Sequence, residues 1–100
     1  MRAVFTVPGV PPIRWQAPFP GRQAGRQRVD GLISAWSVVL EGDGRAWHTR
    51  VEDFERDRRR DSEAAAAGLQ TLRFTWHQLV DEPDWTLRVL LDVGAHRAVA

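Results

Sequence analysis

The 100-residue chain has no cysteine, no lysine and no tyrosine. Without cysteine, disulfides, thiolate nucleophiles and thiolate zinc sites are excluded. Without lysine there is neither a Walker-type phosphate loop nor a Schiff base. Without tyrosine no phosphotyrosyl intermediate can form. No apolar run approaches the roughly 20 residues that a membrane span needs, so no membrane partner is expected. Met1–Val10 holds one Arg and is broken by Pro8 and Gly9, which is not the pattern of a secretory signal. These absences point to a soluble, cytoplasmic protein.

All 14 positive side chains are Arg. A GC-rich genome produces the same bias, so the bias alone is no sign of nucleic acid. With 43% hydrophobic and 27% charged residues, the composition is that of one ordinary globular domain. The net charge is +1, unevenly spread: residues 1–30 hold five Arg and one acid, and residues 62–100 hold three Arg and five acids. A polyanionic partner would therefore be met by a local patch.

Pro8, Gly9, Pro11 and Pro12 mark residues 1–12 as an irregular arm. Ile13, Trp15, Ala17 and Phe19 alternate with polar residues and Pro18, which reads as one face of an edge strand. Arg26–Ile33 and Trp36–Asp43 read as a second and third strand, joined by a turn at Ser34-Ala35. The run Val38-Val39-Leu40 suits a strand covered on both faces. Thr49 with Glu52 forms a capping box that opens a helix, and Gly68 closes it. Gln70–Thr75 reads as a fourth strand and Trp76–Val80 as a helical turn. Pro83 sits in the first turn of a last helix, with Trp85, Val89 and Leu90 or Leu91 as its buried stripe and Gly94 as its stop. The unit spans 13–94, with 95–100 a frayed tail. The fold class is α/β, a mixed sheet flanked by helices in the order β-β-β-α-β-α. The five Trp are assigned to the core, apart from Trp47, which sits beside His48.

Asp30 lies on the second strand, and Glu41 and Asp43 on the third. Glu41 and Asp43 are two apart and share a face. With a two-residue turn, Asp30 falls opposite Val39 and diagonal to Glu41, roughly 7–8 Å away. Two carboxylates so placed suit Mg²⁺ or Mn²⁺. The bland alternative is a set of surface acids paired with Arg28 and Arg45. Gly31 and Gly42, beside the acids, suggest close approach of a ligand. His48 follows by a short loop and has the chemistry of a proton shuttle, although a capping role explains a loop histidine equally well. His77 and His96 show no ligand spacing and are assigned to the surface or to structure.

Four blocks occur in order: Arg28-Val29-Asp30, Val38 to His48, Asp53 to Asp61, and Gly68 with Leu72 to Trp76. Together they resemble the DUF559 family, which is grouped with the very-short-patch-repair endonucleases in the PD-(D/E)xK, restriction-endonuclease-like superfamily. The resemblance implies a restriction-endonuclease-like sheet and a Mg²⁺-dependent (or Mn²⁺-dependent) endodeoxyribonuclease acting on DNA. It makes Asp30 and Glu41 the metal ligands, with Asp43 and His48 as further catalytic residues, His48 standing in for the superfamily's lysine. It also implies that Asp57, Arg58 and Asp61 brace the helix or support the acidic site. Arg28, Arg45 and Arg50 are the candidate DNA contacts, and double-strand scission would want a homodimer. Two departures stand out: residues 1–12 contain no acid, where the family carries a helix with a glutamate, and Gly31 and Gly42 replace bulkier residues. A DNA-binding or interaction module of the same fold, with cleavage weakened or lost, is the alternative, as is a fragment of a longer protein.

Overall fold

Val38, Val39 and Leu40 are each at most 1% exposed, because the strand that carries them is central and both of its faces are covered. A computed structural model describes residues 1–20, 28–43 and 51–99. Its elements are α1 (Arg2–Phe5), β1 (Arg14–Pro18), β2 (Arg28–Ile33), β3 (Val38–Asp43), α2 (Val51–Ala66), β4 (Gln70–Thr75), α3 (Trp76–Asp81) and α4 (Pro83–Val99). The four strands form one sheet in the order β1-β2-β3-β4. The β1–β2 and β2–β3 pairs are antiparallel and β3–β4 is parallel. The α/β class and the mixed sheet match the sequence reading, and the element order does so roughly, with α1 in addition. Pro18 does lie on an edge strand, the place in a sheet where proline is tolerated.

Two cores lie on opposite faces of the sheet. On one, Phe5, Leu79 and Leu90 from α1, α3 and α4 pack on Ile33, Val38, Leu40 and Phe74. On the other, Ala64 of α2 packs with Phe19 on Ala17, Val29 and Val39. Alanine at the contact lets the helix approach closely, and Ala64 is fully buried.

The ends of α2 and α3 follow local rules. At the end of α2, Gly68 has φ +84°, its N–H donates to Ala65 O, and the Leu69 N–H donates to Ala64 O at 2.9 Å. This is the Schellman arrangement expected of a glycine at C′. At the start of α3, the Thr75 hydroxyl accepts from the Gln78 N–H and the Gln78 side chain accepts from the Thr75 N–H, a full capping box. Thr49, assigned as the cap of α2, lies outside the described residues.

Three expectations are corrected here. Residues 1–12 are not wholly irregular: α1 forms one turn and Phe5 is 1% exposed. Four residues are too few to show a helical period, so only burial reveals the turn. Gly94 does not stop α4, which runs on to Val99. Nor is the tail loose over its described length. The Arg97 guanidinium donates to Trp36 O (2.9 Å), Ser37 O and Gly68 O, tying α4 to the β2–β3 turn and to the end of α2. Arg97→Ala removes three charge-assisted bonds and is expected to lower stability by about 2 kcal/mol. A drop in the urea midpoint at constant m-value checks this.

Candidate active site

The β2–β3 turn is longer than expected. It spans Ser34–Ser37 and not Ser34-Ala35: the Trp36 N–H donates to Ile33 O, the Ser37 N–H donates to Ser34 O, and Ser37 has φ +54°. Ile33 is therefore paired with Val38, and Gly31 with Leu40. Asp30 does not fall opposite Val39, as a two-residue turn would require.

Continued regularly, this register would set Asp30 against Glu41 on one face. The ladder breaks first. The β1–β2 pairing passes from Trp15↔Gly31 to Ala17↔Val29 and leaves Gln16 and Asp30 between them. Gln16 has φ +51°, a left-handed conformation that costs a non-glycine residue about 1 kcal/mol or more. Across this break the chain changes faces. Ile13 and Trp15 pack on the α1–α3–α4 core, whereas Ala17 and Phe19 belong to the α2 core. Ile33 and Val29 divide in the same way. The single-face alternation assigned to Ile13, Trp15, Ala17 and Phe19 is thus corrected; the positive φ at Gln16 is the cause.

The break carries Asp30 away from Glu41. Asp30 Oδ2 accepts the Gly42 N–H at 2.7 Å, taking the place of a ladder carbonyl. A Cβ on Gly42 would lie 3.5 Å from that oxygen and 3.8 Å from Leu79 Cδ1, so Asp30 lies on the face that Gly42 presents. Glu41, one residue earlier on β3, points to the opposite face. There it meets Arg60 of α2, with Nη2 to Oε1 at 3.3 Å. The expected convergence of the two carboxylates on one face is corrected: Asp30 meets β3 at Gly42, the residue after Glu41, but the two carboxylates open to different sides of the sheet. The glycines also have another reason to be small. A Cβ on Gly31 would press Ile13 and Trp15, and one on Gly42 would press the tip of Met1.

Asp30 lines a cavity of about 320 Å³ together with Arg2, Trp15, Gln16, Trp76 and Leu79. The Gln16 amide reaches Asp30 Oδ1 only weakly, at 3.5 Å. Arg28 is exposed, and its guanidinium donates to Gln16 O at 2.9 Å.

On the other face the charges form a layer between sheet and helix. Glu41 is 8% exposed. Burial pushes its carboxyl up to about 7; Arg60 opposes that rise without cancelling it, and Asp30 adds to it. The Arg60 guanidinium also donates to Arg28 O at 2.8 Å and lies over the Phe19 ring at 5.2 Å. Its Nε is buried without a partner. Arg73, paired with Glu41 across the β3–β4 ladder, binds Asp61 at 2.7 Å and approaches Asp57 at 3.7 Å. Burial works against the charge on Arg73, but the hydrogen bond and charge of Asp61 outweigh it and raise its pKa. Asp57 and Asp61 do brace α2 against the sheet. Arg58 stays on the surface and pairs with Asp61 at 3.4 Å.

Asp43 ends β3 opposite Thr75. Arg45, His48, Arg50 and Trp47 lie outside the described residues. His77 is exposed and bonded to Asp81, and His96 is exposed. Among the described residues, no group of three or more acids and histidines is placed to hold a metal ion. The chemistry of a hard divalent cation fits Asp30, a carboxylate on a cavity wall. It does not fit Glu41 in this arrangement, because Arg60 neutralises that group on the far face. Sequence reasoning did not anticipate Arg60, Arg73, Gln16 or Trp76. Only Arg73 had a usable signal, since Asp57 and Asp61 stand i,i+4 on one helix face and call for a cation.

No helix among the described residues is long and apolar enough to cross a membrane. No protein-family model matches the chain, and no curated protein or solved structure matches it.

Proposed function

We propose that the chain is a DNA-acting domain of the restriction-endonuclease-like type, similar to the DUF559 family, that hydrolyses phosphodiester bonds with Mg²⁺ or Mn²⁺. The observation that carries this reading is the placement of Asp30: a carboxylate at a strand break, oriented by the Gly42 N–H, on the wall of a cavity. The four sequence blocks and a mixed sheet of the expected element order support it. Asp30 would hold the ion, and when bound the ion supplies Lewis-acid polarisation of a phosphate oxygen and lowers the pKa of a water. Asp43 or His48 takes the proton of the attacking water. Arg28, Arg45 and Arg50 grip backbone phosphates without reading sequence. Glu41 enters this set only by releasing Arg60.

Plasmid nicking tests the proposal. The protein is expected to nick in Mg²⁺ or Mn²⁺, and Asp30→Ala to lose on the order of 10²–10³-fold, the scale for removing preorganised charge stabilisation. Nicking that persists in Asp30→Ala overturns the site.

A second reading, a DNA-binding module that does not cut, is favoured by one specific observation. Both acids are already engaged within the fold, Asp30 by Gly42 and Glu41 by Arg60. It expects DNA retention with no nicking in either metal.

A further inference from the structure

Trp76 is 64% exposed, an unusual position for the largest apolar side chain. It does not stand on a mobile tip. It opens α3 directly after β4, and the capping box of Thr75 and Gln78 holds that junction. Its indole forms one wall of the cavity that Asp30 lines. Trp15 forms another wall, with the Arg2 guanidinium over its ring at 5.4 Å. Gln16 and Asp30 supply an amide and a carboxylate at the same cavity.

An aromatic wall, a polar edge and a cation in one small cavity match the parts of a nucleotide. A base has an apolar face and a hydrogen-bonding edge, and its phosphate is an anion. At about 320 Å³ the cavity lies at the lower end of small-ligand sites, which run from about 300 to 1,000 Å³. A stacked base pair cannot enter it; an unpaired or extruded base can. We propose that this cavity takes one nucleotide of an unpaired strand, its base stacked on Trp76, its edge meeting the Gln16 amide, and its phosphate meeting Arg2. The substrate class is then single-stranded or locally opened nucleic acid. This inference rests on the nucleic-acid reading above and narrows its substrate.

The test separates binding from cleavage. Fluorescence anisotropy in EDTA measures affinity for labelled single strands of about 12 nucleotides, within the span of such sites. DNA and RNA strands and the corresponding DNA duplex are compared. Single strands are expected to bind more tightly than the duplex. Trp76→Ala should weaken them by about ten- to a hundred-fold, the loss of one stacked base. Trp76→Phe should stay within a few-fold of the parent, and Phe54→Ala, at an exposed aromatic outside the cavity, should change nothing. The DNA and RNA arms decide which strand is preferred; stacking through Trp76 on either one supports the site. Unchanged single-strand affinity in Trp76→Ala overturns the inference, as does equal affinity for duplex. A Trp76→Ala variant that only loses self-association also overturns it, since the face would then be a protein contact. Trp76-dependent binding without nicking in Mg²⁺ retains this site and rejects the nuclease. Nicking indifferent to Trp76 does the reverse.

Discussion

Arg60→Met is expected to destabilise the fold by about 3 kcal/mol at pH 8 and by distinctly less at pH 5.5. Breaking a buried pair from one side leaves an uncompensated charge, and such losses run to about 3–5 kcal/mol. Here the stranded group is Glu41, 8% exposed and already raised to about 7 with Arg60 in place. The unfolded chain releases this proton near 4.5, whereas the folded protein keeps it to about 7. Between those values the native state binds more protons, so the contribution of Glu41 to stability falls as pH rises. Over the whole window the loss is about 3 kcal/mol. Removing Arg60 takes away the principal group that lowers this pKa, so the folded value climbs further and the loss extends to higher pH. At low pH the neutral acid needs no partner, and only the bond to Arg28 O and the stacking on Phe19 are forfeited. Glu41→Gln should remove the slope, leaving a difference from the parent that is confined to the window above 4.5. Urea denaturation at several pH values measures all three proteins. Equal losses for Arg60→Met at pH 5.5 and pH 8 would show that Glu41 is not the group concerned.

The second large effect is at Gly94. A Cβ there would lie 2.5–2.6 Å from three atoms of the Trp36 ring, closer than carbon atoms can pack. Alanine in a helix interior is ordinarily better than glycine by about 1 kcal/mol. In this position the overlap wins, because overpacking a core contact costs typically 1–3 kcal/mol and the ring is held between α4 and the core. Gly94→Ala is expected to lose about 1–2 kcal/mol and Gly94→Leu more. Trp36→Leu, itself destabilising, should rescue much of the loss when combined with Gly94→Ala. A double-mutant cycle reads that coupling. A Gly94→Ala protein as stable as the parent would mean that the helix and ring part without cost.

Glycine at position 94 shows how far a local rule reaches. Gly68 and Gly94 each follow a run of helical residues, and the same rule makes both into stops. It holds at Gly68, where the backbone has φ +84° and a Cβ would meet nothing within 4 Å. It fails at Gly94, where the small residue serves an aromatic ring contributed from Trp36, a partner nearly sixty residues away in the chain. Trp76 differs in kind. Hydrophobicity assigns it to the core, yet the turn from β4 into α3 leaves it outside.

From the order of residues alone came the elements that rest on neighbours: the central apolar strand at Val38–Leu40, the helix closed at Gly68, and the edge strand bearing Pro18. These depend on hydrogen bonds and burial patterns within a few positions, and such patterns are written locally. The facing of Asp30 and Glu41 was decided elsewhere. Turns of two and of four residues both keep the pair on one face, and it is the break at the left-handed Gln16, on a different strand, that parts them. Because strand side chains alternate with a period of two, one unpaired residue sends a carboxylate to the other side of the sheet, and only the assembled ladder determines where that residue falls.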